Sequence, residues 1–499
     1  MNHRPLAWLR TLRLDPPSSS DKTADMDRLR KALQQAGYPR VSFPLSVMRR
    51  LPDELRGKGF ELTVVLGQTE DGVRVIDISR EKVYGLALDI GSTNIEASLF
   101  DLLSGSRLDQ RSGENPQLPF GADVLTRVQR SMMGEAEELV RGLRLGVNRL
   151  IDTLCAGNHL AAEDIAAVSV AGNTIMSHFF LGLSVDNIPV SPYVPAVNGP
   201  VFTTGREAGL NVNGEALVYV FPNAGSYVGG DIISGILHAG IHREEEPVLF
   251  IDVGTNVEIT LGCRDWIMSG AGAAGPALEG GVAGIGKKAD PGTISKVRIG
   301  RAGLGIDLDV INDGEPTGIC GSGLIDLISE MFSAGLIDQS GKFTGKGEGF
   351  LEQDGKRRYV IYGNGKDGLA ISEPEIRNFL LSKAAMFSFL YVFVKSVGLT
   401  FRDIRKIYVA GALGCGIDPE SAVNIGMLPD IPRERFVLIG NSSLSGAELL
   451  LLDRGLLDEV AKVAAMITYR EMNEDAELMS VLQGALFIPH TQPELLRGG

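Results

Sequence analysis

The sequence predicts a duplicated α/β protein: two related halves in which strands alternate with helices, preceded by a small α+β domain. Three observations predict it. From Tyr84 onward, strand-like apolar runs alternate with helix-like segments, the pattern of α/β layering. One strand–turn–strand unit then occurs twice. Two further landmarks also recur, in the same order, in both halves.

The repeated unit is LALDIGSTNIEASLF (86–100), which matches LFIDVGTNVEITLG (249–262) when one residue is skipped. Asp89 then aligns with Asp252, Asn94 with Asn256 and Glu96 with Glu258. AVSVAGN (167–173) is echoed by IYVAGALG (407–414), and VYVFPNAG (218–225) by FVLIGNSS (436–443), each followed by a helix-like segment. Three echoes in register predict halves at 84–240 and 241–499 with a cleft between them. The stretches 284–317 and 340–372 break the repeat and read as insertions or surface loops. Residues 373–397 read as a long helix, opened by a capping box of Ser372 and Glu375, with Pro374 in the first turn where no backbone N–H is missed.

Residues 1–20 end in DPPSSS and read as a tail or linker. Residues 21–83 read as the small domain. Its helix carries Met26, Leu29 and Leu33, and FELTVVL (60–66) and VRVIDI (73–78) are joined by the polar QTEDG of a hairpin.

Composition bounds the function. Hydrophobic residues make up 44% and charged residues 22% of 499, ordinary for a globular protein. A net charge of −14 repels phosphate backbones and argues against a nucleic-acid partner. The four cysteines, Cys155, Cys263, Cys320 and Cys415, form no CxxC pair and read as buried thiols of a reducing cytoplasm. The amino terminus lacks the apolar core of a secretory signal. The uncharged stretch between Lys383 and Lys395 is 11 residues, short of the roughly 18 a membrane span needs. A cytoplasmic protein without a membrane partner is the expectation.

The repeated turns carry the chemistry. In DIGSTN (89–94), Gly91 lets the backbone approach an anion, while Ser92, Thr93, Asn94 and successive N–H groups donate to phosphate oxygens. Gly254, Thr255 and Asn256 of DVGTN (252–256) repeat the arrangement. The leading carboxylates, Asp89 and Asp252, suit hydrated Mg²⁺ on either side of one phosphate group. A single such turn is more often a plain β-turn; it is the pairing inside a duplicated frame that selects phosphate binding. Other signals fail. GVAGIGKK (281–288) has Lys288 where a P-loop needs Ser or Thr, and GAGAAG (270–275) lacks the acidic residue of a dinucleotide fold. Ser322 in GICGSGLID has no companion base, and the six histidines show no metal spacing.

The segments YGLALDIGSTN, NPQLPFGADVLTRV, VAGNTIMSHFFLGL, FPNAGSYVGGDIISGI, FIDVGTNVEI, GAAGPALEGG, GICGSGLIDLI and YVAGALG resemble the corrinoid-protein reductive activators. These are ATPases of the actin, Hsp70 and sugar-kinase superfamily, with ribonuclease H-like domains. The resemblance implies ATP and Mg²⁺ as ligands, with Asp89 and Asp252 at the metal and the two turns as phosphate loops. It adds Gly280 and Gly281 of GAAGPALEGG, and Gly411, Ala412 and Gly414 of the adenosine motif, where Ala412 replaces a usual glycine. The stretch from Asn223 to Asp231 resembles the first interdomain connection, and Asp231 is the residue chosen to orient the attacking water. The resemblance further implies a homodimer, and a corrinoid protein or corrinoid methyltransferase as partner. Family members that reduce corrinoids carry a ferredoxin-like domain before the segment at which this sequence begins. The expectation is therefore no iron–sulfur cluster in this chain and a separate low-potential electron donor. A small-molecule kinase, or a regulatory ATP-binding module, is the alternative reading of the same fold.

Overall fold

A computed structural model describes residues 3–254, 257–272, 278, 281–300, 305–353, 355–363, 368–414, 416–472 and 476–497. Two compact units result. The first comprises Met1–His238 with Ser442–Ile467, the second Ala239–Asn441 with Thr468–Gly499.

The first unit opens with β1 (Ala7–Arg13), α1 (Asp25–Gln35), β2 (Val41–Ser42), α2 (Leu45–Gly57), β3 (Glu61–Gln68) and β4 (Val73–Ile78). The strands form one sheet in the order β1-β3-β4-β2. The expected hairpin is β3–β4, and the expected helix is α1, whose Leu29 and Leu33 are fully buried one turn apart. Residues 7–13, part of the segment read as a tail, instead form a strand antiparallel to β3, with Ala7 opposite Gly67 and Arg13 opposite Glu61. Charged residues on an edge strand hide the alternation that would mark it.

The first unit's main sheet comes next: β5 (Tyr84–Ile90), β6 (Asn94–Asp101) and β7 (Ser106–Glu114) form an antiparallel meander. Helices α3 (Val124–Arg130) and α4 (Ala136–Gly157) lead to β8 (Ile165–Gly172), α5 (Thr174–Leu181), β9 (Val201–Thr204), α6 (Gly205–Ala208), β10 (Leu217–Val220) and α7 (Gly230–Ala239). In α4, Leu139, Leu143, Val147, Ile151 and Leu154 recur at helical spacing and are all buried. Every residue of β8 is buried because the strand lies mid-sheet, parallel to β5 on one side and to β10 on the other.

The second unit holds β11 (Val248–Val253), β12 (Val257–Gly262), β13 (Ile267–Gly272), β14 (Thr293–Ile299), β15 (Ile306–Val310), β16 (Gly318–Ile319) and α8 (Gly321–Ser333). It continues with β17 (Phe350–Gln353), β18 (Lys356–Tyr362), β19 (Leu369–Ser372), α9 (Glu373–Lys395), β20 (Ile407–Ala410), α10 (Gly411–Gly414), α11 (Pro419–Asn424) and β21 (Phe436–Gly440). Then α12 (Ser442–Leu452) and α13 (Leu457–Met466) belong to the first unit, and β22 (Ile467–Tyr469) and α14 (Ala476–Ala485) close the chain's regular structure.

The duplication is plain in the strand orders. One main sheet runs β7-β6-β5-β8-β10, with β9 added beside β10; the other runs β13-β12-β11-β20-β21, with β22 added beside β13. Parallel and antiparallel pairings match strand for strand. Of the segments read as insertions or surface loops, 284–317 holds β14 and β15, which with the adjoining β16 form the sheet β15-β14-β16, and 340–372 holds the sheet β17-β18-β19; these are short strands without a long alternating run.

The capping box predicted for the long helix is present, Ser372 with Glu375. That helix, α9, has 23 residues and is by length and composition apolar enough to cross a membrane, but 72% of its apolar window is buried inside the fold. Its apolar residues join the second unit's core. Lys383, at its middle, is fully buried and donates to the carbonyls of Ala485, Phe487 and Pro489 at 2.6–2.8 Å.

Candidate active site

The first hairpin turn joins β5 to β6 with Asp89 opposite Glu96 and Ile90 opposite Ile95. That register leaves Gly91, Ser92, Thr93 and Asn94 as the turn, at the end of β5 that lies beside Gly172 of β8. Ser92 and Thr93 are partly exposed and Asn94 is exposed. The turn is held from within the fold: Asn115 Nδ2 donates to the Gly91 carbonyl at 2.8 Å and Arg127 Nη2 to the Ser92 carbonyl at 2.5 Å.

Asp89 is coupled to two further side chains, one by a hydrogen bond and one through its charge. Ser443 Oγ, from the start of α12, donates to Asp89 Oδ1 at 2.7 Å. Asp231, in the first turn of α7, lies near enough for the Asp89 charge to act on it. Burial pushes the Asp231 carboxyl up to about 7, the Asp89 charge adds to the rise, and the Ile232 N–H, donating to Asp231 Oδ1 at 2.8 Å, opposes it. Helices α7 and α12 pack so closely that a Cβ on Gly446 would strike the Ser234 carbonyl. This packing ties the two side-chain suppliers together. A carboxyl group titrating near neutrality beside a second carboxylate can exchange a proton with water at physiological pH.

The second hairpin repeats the geometry. Asp252 of β11 faces Glu258 of β12 as Asp89 faces Glu96, and Asp252 is in parallel register with Ala410 of β20. Gly411 follows Ala410 with φ +72°, where a Cβ would collide with Asp252 Oδ1 and come within 2.5 Å of the Val253 carbonyl. Only glycine serves there. A Cβ at Gly414 would likewise meet the Val409 carbonyl at 2.5 Å. Gly411 and Gly414 are thus required to bring α10 onto the ends of β20 and β11. Gly254 is exposed with open space around it, and Gly281 is an exposed turn residue. Thr255, Asn256 and Gly280, and the side chain of Ala412, lie outside what is described.

Family models match nearly the whole chain. Residues 246–497 match the model described as the C-terminal domain of RACo, the ASKHA domain; residues 84–244 match the RACo middle region and 1–83 the RACo linker region. The chain belongs to the RACo family. It is 31% identical over 471 residues to the corrinoid activation enzyme RamQ of Eubacterium limosum, covering 89% of this chain and 77% of RamQ. A [Co(II) methylated amine-specific corrinoid protein] reductase of Methanosarcina barkeri is 25% identical, with 77% of this chain and 73% of the reductase aligned. The solved structure of a reductive activator for corrinoid, iron-sulfur protein superposes with a TM-score of 0.92 at 35% identity, over 99% of this chain and 81% of that one.

The remaining sequence signals find structural explanations within a RACo-type fold. Gly270 and Gly272 of the dinucleotide-like GAGAAG lie on β13, where Phe393 and Phe389 of α9 occupy the space a Cβ would need. The P-loop-like segment at 281–288 is irregular and opens no helix. Ser322 lies in the first turn of α8, where its Oγ donates to the Ser295 carbonyl at 3.2 Å. Cys155, Cys263 and Cys320 are free and buried; Cys415 lies outside the described residues.

Three site residues escaped the sequence reading. Ser443 was within reach, since it closes the FVLIGNSS echo. Asn115 and Arg127 were not, because nothing in their residue types marks them as turn-holders.

Proposed function

We propose that this chain binds and hydrolyses ATP, and that the hydrolysis drives reductive reactivation of a corrinoid protein with electrons from a separate low-potential donor. The single observation that carries the hydrolytic part is the Asp89–Asp231–Ser443 cluster at the open end of a phosphate-type turn. In this reading Asp231 accepts the proton of the attacking water. Ser443 holds the Asp89 carboxylate in place, and the N–H groups of the Gly91–Asn94 turn bind phosphate oxygens.

Oxygen donors of this kind fit Mg²⁺, and Asp89 and Asp252 would hold it; a cation there also relieves the repulsion between Asp89 and Asp231. When bound, Mg²⁺ supplies neutralisation of the phosphate charge. Gly411, Ala412 and Gly414 would flank the nucleoside. The corrinoid part is supported by the names of the relatives: corrinoid activation, Co(II) corrinoid protein reduction and reductive activation. The reading has the protein work as a cytoplasmic homodimer, and it assigns the chain no iron–sulfur cluster.

The test is phosphate release from Mg²⁺–ATP by the purified protein, with and without a corrinoid protein, alongside thermal melting. The reading expects slow hydrolysis that the partner accelerates. It also expects a melting rise with Mg²⁺–ATP worth about 2.7 kcal/mol at a hundredfold ligand excess over Kd. Fast turnover with a small metabolite would instead make it a kinase, and no melting shift would remove ATP altogether.

A further inference from the structure

Three consecutive carbonyls of the first turn are held from the protein side. Asn115 Nδ2 donates to Gly91 O at 2.8 Å, Arg127 Nη2 to Ser92 O at 2.5 Å, and the Asn115 backbone N–H to Thr93 O at 2.8 Å. The holders are themselves fixed. Arg127 Nε donates to the Gly121 carbonyl at 2.9 Å, the Gln117 N–H donates to Asn115 Oδ1 at 2.9 Å, and Gln117 Nε2 donates to the Leu139 carbonyl at 3.0 Å. Asn115 is 1% exposed, and Gln117 and Arg127 are wholly buried.

A trans peptide points its N–H opposite to its C=O. Turning the Gly91, Ser92 and Thr93 carbonyls toward Asn115 and Arg127 therefore turns the N–H groups of Ser92, Thr93 and Asn94 away from them. Successive N–H groups directed outward from a turn make an anion-binding concavity. The charge on Arg127 matters as well as its geometry. Its hydrogen bonds go to neutral acceptors: two carbonyls, the Gln117 amide oxygen at 3.4 Å and the Met176 sulfur at 3.6 Å. Burial weakens the guanidinium's hold on its proton, opposed only in part by Asp123. A buried cation bonded to neutral groups is costly until an anion comes near.

We propose that Asn115 and Arg127 are positioning residues for the terminal phosphates of a nucleoside triphosphate, aiming the turn's N–H groups outward and placing a positive charge behind them. The proposal rests on the ATP reading above and names the part of the nucleotide that this turn recognises. They act on the phosphate tail and leave the nucleoside to the adenosine motif.

The experiment is calorimetric titration of the full chain with Mg²⁺–ATP and, separately, with adenosine. It compares wild type with Arg127→Gln, Arg127→Lys and Asn115→Ser, each checked for native circular dichroism. Arg127→Gln is expected to weaken Mg²⁺–ATP about ten- to hundredfold, the usual weight of a lost charge-assisted contact. Arg127→Lys, which keeps the charge but not the fork, should recover part of that loss, and Asn115→Ser should cost about tenfold. Adenosine affinity should stay within about twofold throughout, a selectivity that general damage to the fold would not produce. Equal weakening of ATP and adenosine, or unchanged ATP affinity, overturns the proposal while the ATP reading stands. Wild type that fails to bind Mg²⁺–ATP overturns both. Should Arg127→Gln not fold, Asn115→Ser decides the matter by the same comparison.

Discussion

The two hairpins are built alike and surrounded differently. Both place an aspartate opposite a glutamate, Asp89 with Glu96 and Asp252 with Glu258, at the end of the third strand of the same five-strand order. Asp89 is met by a hydroxyl from Ser443 and by the charge of Asp231. Asp252 has the glycine backbone of Gly411 against it, so close that no side chain fits between. Around these two equivalent carboxylates the described residues thus place a hydroxyl and a second carboxyl group near Asp89, and a close glycine backbone near Asp252. The account assigns chemistry to the first unit and ligand holding to both.

The largest effect that would break this comparison is on turnover. Asp231→Asn is expected to lower ATP hydrolysis about a thousandfold, within the range of a lost general base, while Mg²⁺–ATP still binds with near-native affinity. Asp89→Ala and Asp252→Ala should each cost a hundredfold or so and should weaken binding too. Equal losses and equal affinities in all three variants would erase the distinction between the units.

A second effect of Asp231→Asn is on stability in the absence of nucleotide and Mg²⁺. The folded Asp231 carboxyl sits near 7 against an ordinary 3.8, so it binds its proton more tightly when folded. The stability this provides is complete below about pH 4 and is lost as pH rises through 7. The Asn variant should therefore melt like wild type near pH 4 and above it at pH 8. A gap that is the same at both values would remove the burial argument.

Gly411→Ala should destabilise by about 1–3 kcal/mol, the usual cost of a side chain forced to a left-handed backbone, with the Asp252 collision in addition. Thermal melting checks it, and a loss under about 0.5 kcal/mol would contradict the close approach. The smallest effect is Ser443→Ala, which removes one hydrogen bond to a carboxylate and should slow hydrolysis roughly fivefold, at about 1 kcal/mol per bond. No change in initial rate would take Ser443 out of the site.

Much of this was legible because the chain states it twice. The Asp89–Asp252 alignment, the β8–β20 and β10–β21 echoes and the capping box at Ser372 are local patterns, and the registers and strand orders bear them out. What stayed hidden depends on distant pairing. β1 gains its identity only from β3, some 50 residues on, and Arg10 and Arg13 mask its alternation. The two small sheets after β13 are made of short strands that read as loops until paired. Ser443 reaches Asp89 across 354 residues, and Arg127 lies 35 residues from the carbonyl it holds. Residue type and spacing say nothing about such contacts until the sheet and helices bring them together. The long helix expected at 373–397 is α9, and Lys383, which interrupts its apolar run in the sequence, lies inside it, fully buried on three carbonyls.

The most direct test of the account is spectroscopic. The purified chain, a corrinoid protein in the Co(II) state and a low-potential donor are mixed anaerobically, and the Co(I) absorbance is followed with Mg²⁺–ATP, without it, and with the Asp231→Asn variant. The account predicts Co(I) formation only with ATP and wild-type protein, accompanied by phosphate release. Co(I) appearing to the same extent without ATP, or with Asp231→Asn at the wild-type rate, would contradict it.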